Sequence, residues 1–272
     1  MLALYPTATF KELAVVRFQG SQTPEQLLSV YRGYHASLQE RGAHMVHMFR
    51  QRLATSYRLP GQKLALDIGC GVGTSITALA QEFEWVLGLD PFLPNLLLAR
   101  KFFQERGIEN VILVQAYAQH IPLRDDCADY AVAQNVIEHL LDVEPAFHEL
   151  RRVLQPGGCF CGDSRNRFDL FFPEPHAKLR WVGFFPRWLQ PWYVRKFRDI
   201  PYSTTQLLSL GELQGLARRA FGKSARVVFP FVSAYGQSPR WDEMIDLVER
   251  IPAIRTAVLA VFPSHLLLAK AQ

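Results

Sequence analysis

Through the middle of the chain, apolar runs of about five residues are each followed by a stretch in which apolar positions return every three or four residues. Runs of the first kind suit strands buried on both faces; the second period is that of a helix with one side on a core. The alternation predicts strands near 63–68, 85–90, 111–115, 129–134 and 158–163, with helices near 74–82, 94–106 and 143–154. Strand and helix in this rhythm imply a doubly wound, mainly parallel sheet of the α/β class, with ligands beyond the carboxyl ends of its strands. Ala225–Phe229 and Leu266–Lys270 read as two further strands flanking a helix near 240–249. Ahead of the sheet, Thr23-Pro24-Glu25-Gln26 reads as a helix start, and a second helical stretch covers about 36–56. Residues 1–60 are therefore expected as a helical cap and 61–272 as the main domain, with an insertion at 164–202 where the rhythm breaks.

The first strand runs into Asp67-Ile68-Gly69-Cys70-Gly71-Val72-Gly73-Thr74. Closely spaced glycines let the backbone turn tightly and approach a ligand that a Cβ would hold off. A dinucleotide loop places its third glycine at the position held here by Thr74, and Asp67 puts a negative charge where a pyrophosphate would be repelled. A phosphate-free cofactor with an ammonium and a sulfonium, S-adenosyl-L-methionine, fits better than NAD. A second apolar run, Trp85 to Leu89, ends in Asp90, 17 residues past Gly73. An acid there can bind ribose hydroxyls or, ahead of Pro91, cap the next helix.

These residues resemble the class I S-adenosylmethionine-dependent methyltransferases, in particular the type 11-like domain, whose first motif is hydrophobic-Asp-hydrophobic-Gly-x-Gly-x-Gly. Ala118-Gln119-His120-Ile121-Pro122-Leu123 is similar to the family's adenine loop, Ala128 to Leu140 to its fourth strand, and Glu149 to Gly158 to its next helix, turn and fifth strand. The Pro156-Gly157-Gly158 turn is also expected on local grounds. The resemblance implies a seven-stranded Rossmann-like sheet with an antiparallel last strand and N-terminal helices over the cofactor. It implies a cofactor site of Asp67, Gly69, Cys70, Gly71, Gly73, Asp90, Pro91, Ala118, Gln119 and Gln134. Tyr117 stands where the family commonly has an adenine-binding Asp, which leaves adenine to the backbone near Ala118 or to Gln119.

Composition narrows the setting. No stretch of 18 apolar residues occurs, and the N-terminus lacks a basic segment followed by an apolar run, so a cytoplasmic enzyme without a transmembrane segment is expected. Cys159-x-Cys161 reads as core packing, and His44 and His47 lack a carboxylate at matching spacing, so no metal site is expected. The net charge of +5 is local: residues 151–200 hold ten Lys or Arg against four Asp or Glu. Eleven of the 33 aromatics lie between 168 and 202, a density that predicts a lid or acceptor pocket.

Methyl transfer to a hydroxyl needs a base, for which His176, held between prolines in Pro173-Glu174-Pro175-His176, is the first candidate and His139 the second. Both also admit a structural hydrogen-bonding role. The acceptor is expected to be a small molecule, a glycan or a lipid-linked precursor. The basic, aromatic insertion allows peripheral membrane contact, whereas nucleic acid is disfavoured because no nucleic-acid-binding pattern accompanies the charge. A module that binds the cofactor without turnover is the alternative, and an NAD-dependent oxidoreductase a more distant one. Oligomeric state is open.

Overall fold

The structure is a computed structural model describing residues 5–8, 42–44, 46–54, 56–57, 61–140, 142–202, 205–230 and 240–272. Its strands are β1 (Leu64–Ile68), β2 (Trp85–Leu89), β3 (Val111–Val114), β4 (Ala128–Ala133), β5 (Leu154–Arg165), β6 (Arg226–Val228) and β7 (Ser264–Lys270). From residue 61 on, the helices of the described residues are, in chain order, α1 (Ile76–Glu82), α2 (Leu93–Arg106), α3 (Val143–Val153), α4 (Gln190–Arg198), α5 (Leu210–Phe221), α6 (Arg240–Glu249) and α7 (Pro252–Val261). The sheet has seven strands in the order β3-β2-β1-β4-β5-β7-β6, the expected Rossmann-like arrangement.

The chain divides into two compact units, Met1–Val132 with Val153–Gly158, and Ala133–Arg152 with Cys159–Gln272. In the first, β1 lies between β2 and β4, all parallel, and β3 extends the row from β2. β1 and β4 are almost wholly buried while the edge strand β3 is partly open, which is why the central strands read as unbroken apolar runs. Register pairs Asp67 with Gly88 and Ile68 with Leu89, so the tips of β1 and β2 end level and bring Asp67 and Asp90 to one end of the sheet. Asp129 fastens the opposite end: its Oδ2 accepts from the backbone N–H groups of Lys63 at 3.0 Å and Leu64 at 2.9 Å, and its Oδ1 accepts from Gln155.

Of the expected N-terminal helices, 23–34 lies outside the described residues, while 42–44 and 46–54 are helical. Val46, Phe49 and Leu53, at helical spacing, are buried, and His44 and His47 are exposed. Gly42 sits so close to the Thr74 carbonyl that no Cβ fits between them.

In the second unit, β7 runs antiparallel between β5 and β6. Cys159 and Cys161 are buried in β5 as core residues. Two expectations need correction. Pro156-Gly157-Gly158 does not separate α3 from β5; it lies inside β5, with Gly157 taking the bend at φ 88° and Gly158 packed against the carbonyls of Ala128 and Asp129. The chain after the insertion also holds two helices that were not expected, α5 and α7. The signal for α5 is the Ser209-x-x-Glu212 capping box, in which the Ser209 hydroxyl accepts from the Glu212 N–H and the Glu212 carboxylate accepts from the Ser209 N–H.

The insertion forms a short 3₁₀ turn and α4 around a small core of Ala177, Val182, Val194 and Tyr202, its prolines having ruled out one long helix. It is held by Asn166 and Arg167. Asn166 donates from Nδ2 to the carbonyls of Ala260 at 2.9 Å and Phe262 at 2.8 Å, where α7 ends, and its Oδ1 accepts from the Phe168 N–H at 3.0 Å. Arg167 donates to the carbonyls of Gly183 at 2.8 Å and Phe185 at 3.3 Å and pairs with Glu212, which also binds Arg187 at 2.7 Å. Arg167 and Arg187, two of the insertion's basic residues, are thus tied to the fold.

Candidate functional site

In the first unit the loop after β1 turns through three glycines at positive φ, Gly69 at 65°, Gly71 at 54° and Gly73 at 88°. Two of them are glycine for different reasons. A Cβ on Gly73 would collide with the Phe103 ring of α2, so that position is required by packing. A Cβ on Gly71 would meet nothing within 4 Å, so it leaves open space beside the loop of the kind a ligand occupies. Cys70 is held by its N–H to the Leu89 carbonyl at 2.8 Å, and its buried thiol packs against Gly88, leaving only backbone for a ligand.

Asp90 joins the loop to the second strand. Its Oδ2 accepts from the Gly71 N–H at 2.9 Å, and its Oδ1 accepts from the Phe92 N–H at 2.8 Å and from Asn95 at 3.4 Å. The N-cap of α2 is Phe92, so Asp90 ties the glycine loop and the turn at Pro91 rather than capping the helix. Each oxygen still has acceptor capacity for a hydroxyl. Asp67 is buried at 2% exposure, and burial, reinforced by the Asp90 charge, pushes its carboxyl up to about 8. A cationic group arriving there would favour the ionised form, so the pair suits a ligand bearing an ammonium and a ribose. Just after β3, Gln115 donates to the Pro91 carbonyl at 3.0 Å, which ties the exposed Pro91 to the segment before the expected adenine loop. There Ala118 is buried, Gln119 half-buried, and Tyr117, at 55% exposure, points to solvent. The His120 N–H closes this turn on the Tyr117 carbonyl at 3.0 Å.

The second unit holds Gln134, His139 and His176. After β4 the chain reverses at Asn135, in the left-handed region at φ 51°, whose N–H donates to Asp163 Oδ1 at 2.7 Å. Gln134 beside it is half-buried. His139 ends a 3₁₀ turn, Ile137–His139, instead of opening the next helix, which begins at Val143. His176 Nδ1 lies 2.6 Å from Glu174 Oε1, and its Nε2 lies 3.2 Å from His139 Nε2, with the two rings at right angles. Glu174 is buried, and its other oxygen accepts from the Ala177 N–H. Burial raises the Glu174 carboxyl, but the bonds from His176 and Ala177 outweigh it and the net shift is downward; the same bond to Glu174 raises His176. Glu138 is buried as well, its Oε2 without a hydrogen-bond partner among the described residues, and burial followed by the Asp163 charge pushes it up to about 7.

Two expected site histidines, 37 residues apart, are therefore brought into one cluster, and sequence reasoning missed the residue that organises it. Glu174 stands two before His176 in Pro-Glu-Pro-His, close enough to have been marked as its partner. An Nδ1 bound to a carboxylate leaves Nε2 to exchange a proton, which is the arrangement of a general base.

A family model described as a methyltransferase domain matches residues 66–162. The uncharacterized methyltransferase YcgJ of Bacillus subtilis (strain 168) is 31% identical over 131 residues, 48% of this chain and 50% of that protein. A ubiquinone biosynthesis O-methyltransferase of Methylobacterium sp. (strain 4-46) is 29% identical over 128 residues, 47% of this chain and 51% of that protein. The chain spans about half the length of these curated relatives. The crystal structure of YcgJ superposes with a TM-score of 0.52 at 20% identity, covering 83% of this chain and 98% of that one. That of an S-adenosylmethionine-dependent methyltransferase from Thermotoga maritima, a possible histamine N-methyltransferase, gives 0.52 at 18% identity, covering 91% and 97%. These structural likenesses show the fold.

Proposed function

We propose that the protein is a class I S-adenosylmethionine-dependent methyltransferase, a reading supported by the methyltransferase-domain match over residues 66–162, and that it transfers a methyl group to a hydroxyl of a small-molecule, glycan or lipid-linked acceptor. When bound, S-adenosyl-L-methionine supplies an electrophilic methyl group on a sulfonium. Asp67 would pair with the cofactor's ammonium, Asp90 would accept from its ribose hydroxyls, Gly71 would leave room beside the loop, and Gly69 and Gly73 would shape the turn that holds it. Ala118 and Gln119 would serve the adenine, and Gln134 the reacting end.

His176 Nε2 removes the acceptor's proton. Glu174 holds Nδ1 in the protonated tautomer and stabilises the imidazolium that forms. His139, exposed and 3.2 Å away, is the resting donor to that nitrogen, and the acceptor's hydroxyl takes its place. The observation that carries this reading is the 2.6 Å bond between His176 and a buried carboxylate, which holds the ring in one orientation.

Residues 1–60 are the cap of this enzyme and 61–272 its catalytic domain; the close seating of Gly42 on the Thr74 carbonyl supports a cap that presses on the cofactor loop. The setting we propose is the cytoplasm, which suits Cys70, Cys127, Cys159 and Cys161 standing as thiols and not as disulfides. Among the described residues no helix is long and apolar enough to cross a membrane.

The test is a methyl-transfer assay over a panel of hydroxylated acceptors, paired with calorimetric binding of S-adenosylmethionine. His176→Ala is expected to lower turnover by about 10²- to 10⁴-fold, with cofactor affinity kept within about twofold. Wild-type turnover in that variant would remove the histidine from the chemistry. Cofactor binding without turnover on any acceptor would favour the non-catalytic module.

A further inference from the structure

The second unit exposes large apolar side chains where a folded chain ordinarily hides them. Of the 17 exposed large hydrophobics among the described residues, nine fall between Leu170 and Ile200, so the exposure is concentrated rather than scattered. Three of these form an ordered arrangement with cations on α4 and the turn leading into it. Trp188 is 78% exposed, Trp192 56% and Phe197 58%. Trp188, Trp192 and Lys196 are spaced by four, and the Lys196 ammonium lies 4.9 Å over the Trp192 ring. Val194 and Gln190, on the other side of the helix, are buried, so this stripe faces outward. Arg195, Lys196 and Arg198 follow, and no acidic residue occurs from Trp188 to Arg198. Arg198 also donates to the Lys178 carbonyl at 2.7 Å, which fastens the end of the helix to the insertion.

We propose that this face docks the protein on an anionic lipid bilayer, with Trp188 and Trp192 at the headgroup level and Arg195 and Lys196 on the acidic headgroups. Tryptophan has one apolar and one hydrogen-bonding side and gathers at the membrane–water boundary, and a long cationic side chain can lay its stem along apolar surface while its charge reaches the headgroups. Charge complementarity selects this occupant. A second copy of the chain would set like charges against each other across a two-fold axis. The core of a protein interface is depleted in lysine, whereas here a lysine continues the aromatic stripe and lies over one of its rings. A nine-residue helix with its inner face buried cannot sink deeply, so the contact is superficial and depends on charge.

The test is co-sedimentation of the full chain with vesicles of phosphatidylcholine alone and of phosphatidylcholine with phosphatidylglycerol, read with tryptophan emission. Binding to the anionic vesicles with a blue-shifted emission, weakened by salt and little seen on the neutral ones, is expected. Trp188→Ala with Trp192→Ala should reduce binding at least about tenfold, and Lys196→Glu at least about fivefold, since each removed cation accounts for about that factor. Both variants should keep wild-type circular dichroism and S-adenosylhomocysteine affinity, because none of these residues belongs to the proposed cofactor or base machinery. Failure to bind anionic vesicles at low salt would overturn the proposal. So would equal binding to neutral vesicles, self-association lost in the double variant, or preferential binding to RNA. None of these outcomes depends on methyl transfer, so the docking surface and the enzymatic reading stand or fall separately.

Discussion

Replacing Asp67 with Asn tests the electrostatics of the cofactor crevice most directly. The Asp67 carboxyl is fully buried, and burial together with the Asp90 charge pushes it from an ordinary 3.8 to about 8. The folded protein therefore holds a proton on this group that the unfolded chain loses near pH 4. Below that pH both states are protonated and the group makes no difference. As pH rises toward 8 the unfolded state is progressively favoured by its ionised carboxylate, and above 8 the loss levels off. At pH 7 the loss is about 4 kcal/mol, taking about 1.4 kcal/mol for each unit by which pH exceeds the unfolded value. The neutral amide of Asp67→Asn has no such dependence, so urea unfolding across pH 4 to 8 should show the variant gaining on the wild type by about that amount by pH 7. Cofactor binding should read the same proton. A ligand ammonium that favours the ionised carboxylate makes the wild type release about one proton at pH 7, visible as a dependence of binding enthalpy on the buffer's ionisation heat, and the variant should release none and bind more weakly. A stability difference that does not change with pH, or wild-type binding without proton release, would refute this account.

Gly71→Arg puts a bulky cation into the open space beside the loop at a φ of 54°, and cofactor affinity by calorimetry should fall beyond detection; unchanged affinity would mean that the ligand lies elsewhere. The hydrogen bond that His176 donates to Glu174 is the main cause of the raised His176 pKa, so Glu174→Gln should move the acidic limb of the kcat/KM profile to lower pH and reduce the plateau; a limb that stays in place would separate Glu174 from the titrating group. Asn166→Ala strands two carbonyls at the end of α7 and should cost roughly 2–4 kcal/mol in denaturant unfolding, from two lost bonds at about 1–2 kcal/mol each; a loss under about 0.5 kcal/mol would show that the insertion does not depend on them.

The first five strands, the three helices between them and the glycine loop follow from features written within a few neighbouring residues: apolar period, glycine spacing and an acid at each of two strand tips. Such features survive because a central parallel strand is buried on both faces and a tight turn needs glycine whatever lies elsewhere in the chain. β5 beginning four residues early shows the limit even there, since Gly158 joins the strand by packing on Ala128 and Asp129. The roles of the charged and polar groups after β5 were decided by tertiary structure. Asn166 finds its carbonyls more than ninety residues on, at Ala260 and Phe262, and Arg167 and Arg187 share Glu212. His139 and His176 meet across 37 residues. A side chain's period along the chain records which way it faces, but the partner of a charge is whichever group another segment places within about 3 Å of it, and only the folded chain sets that distance.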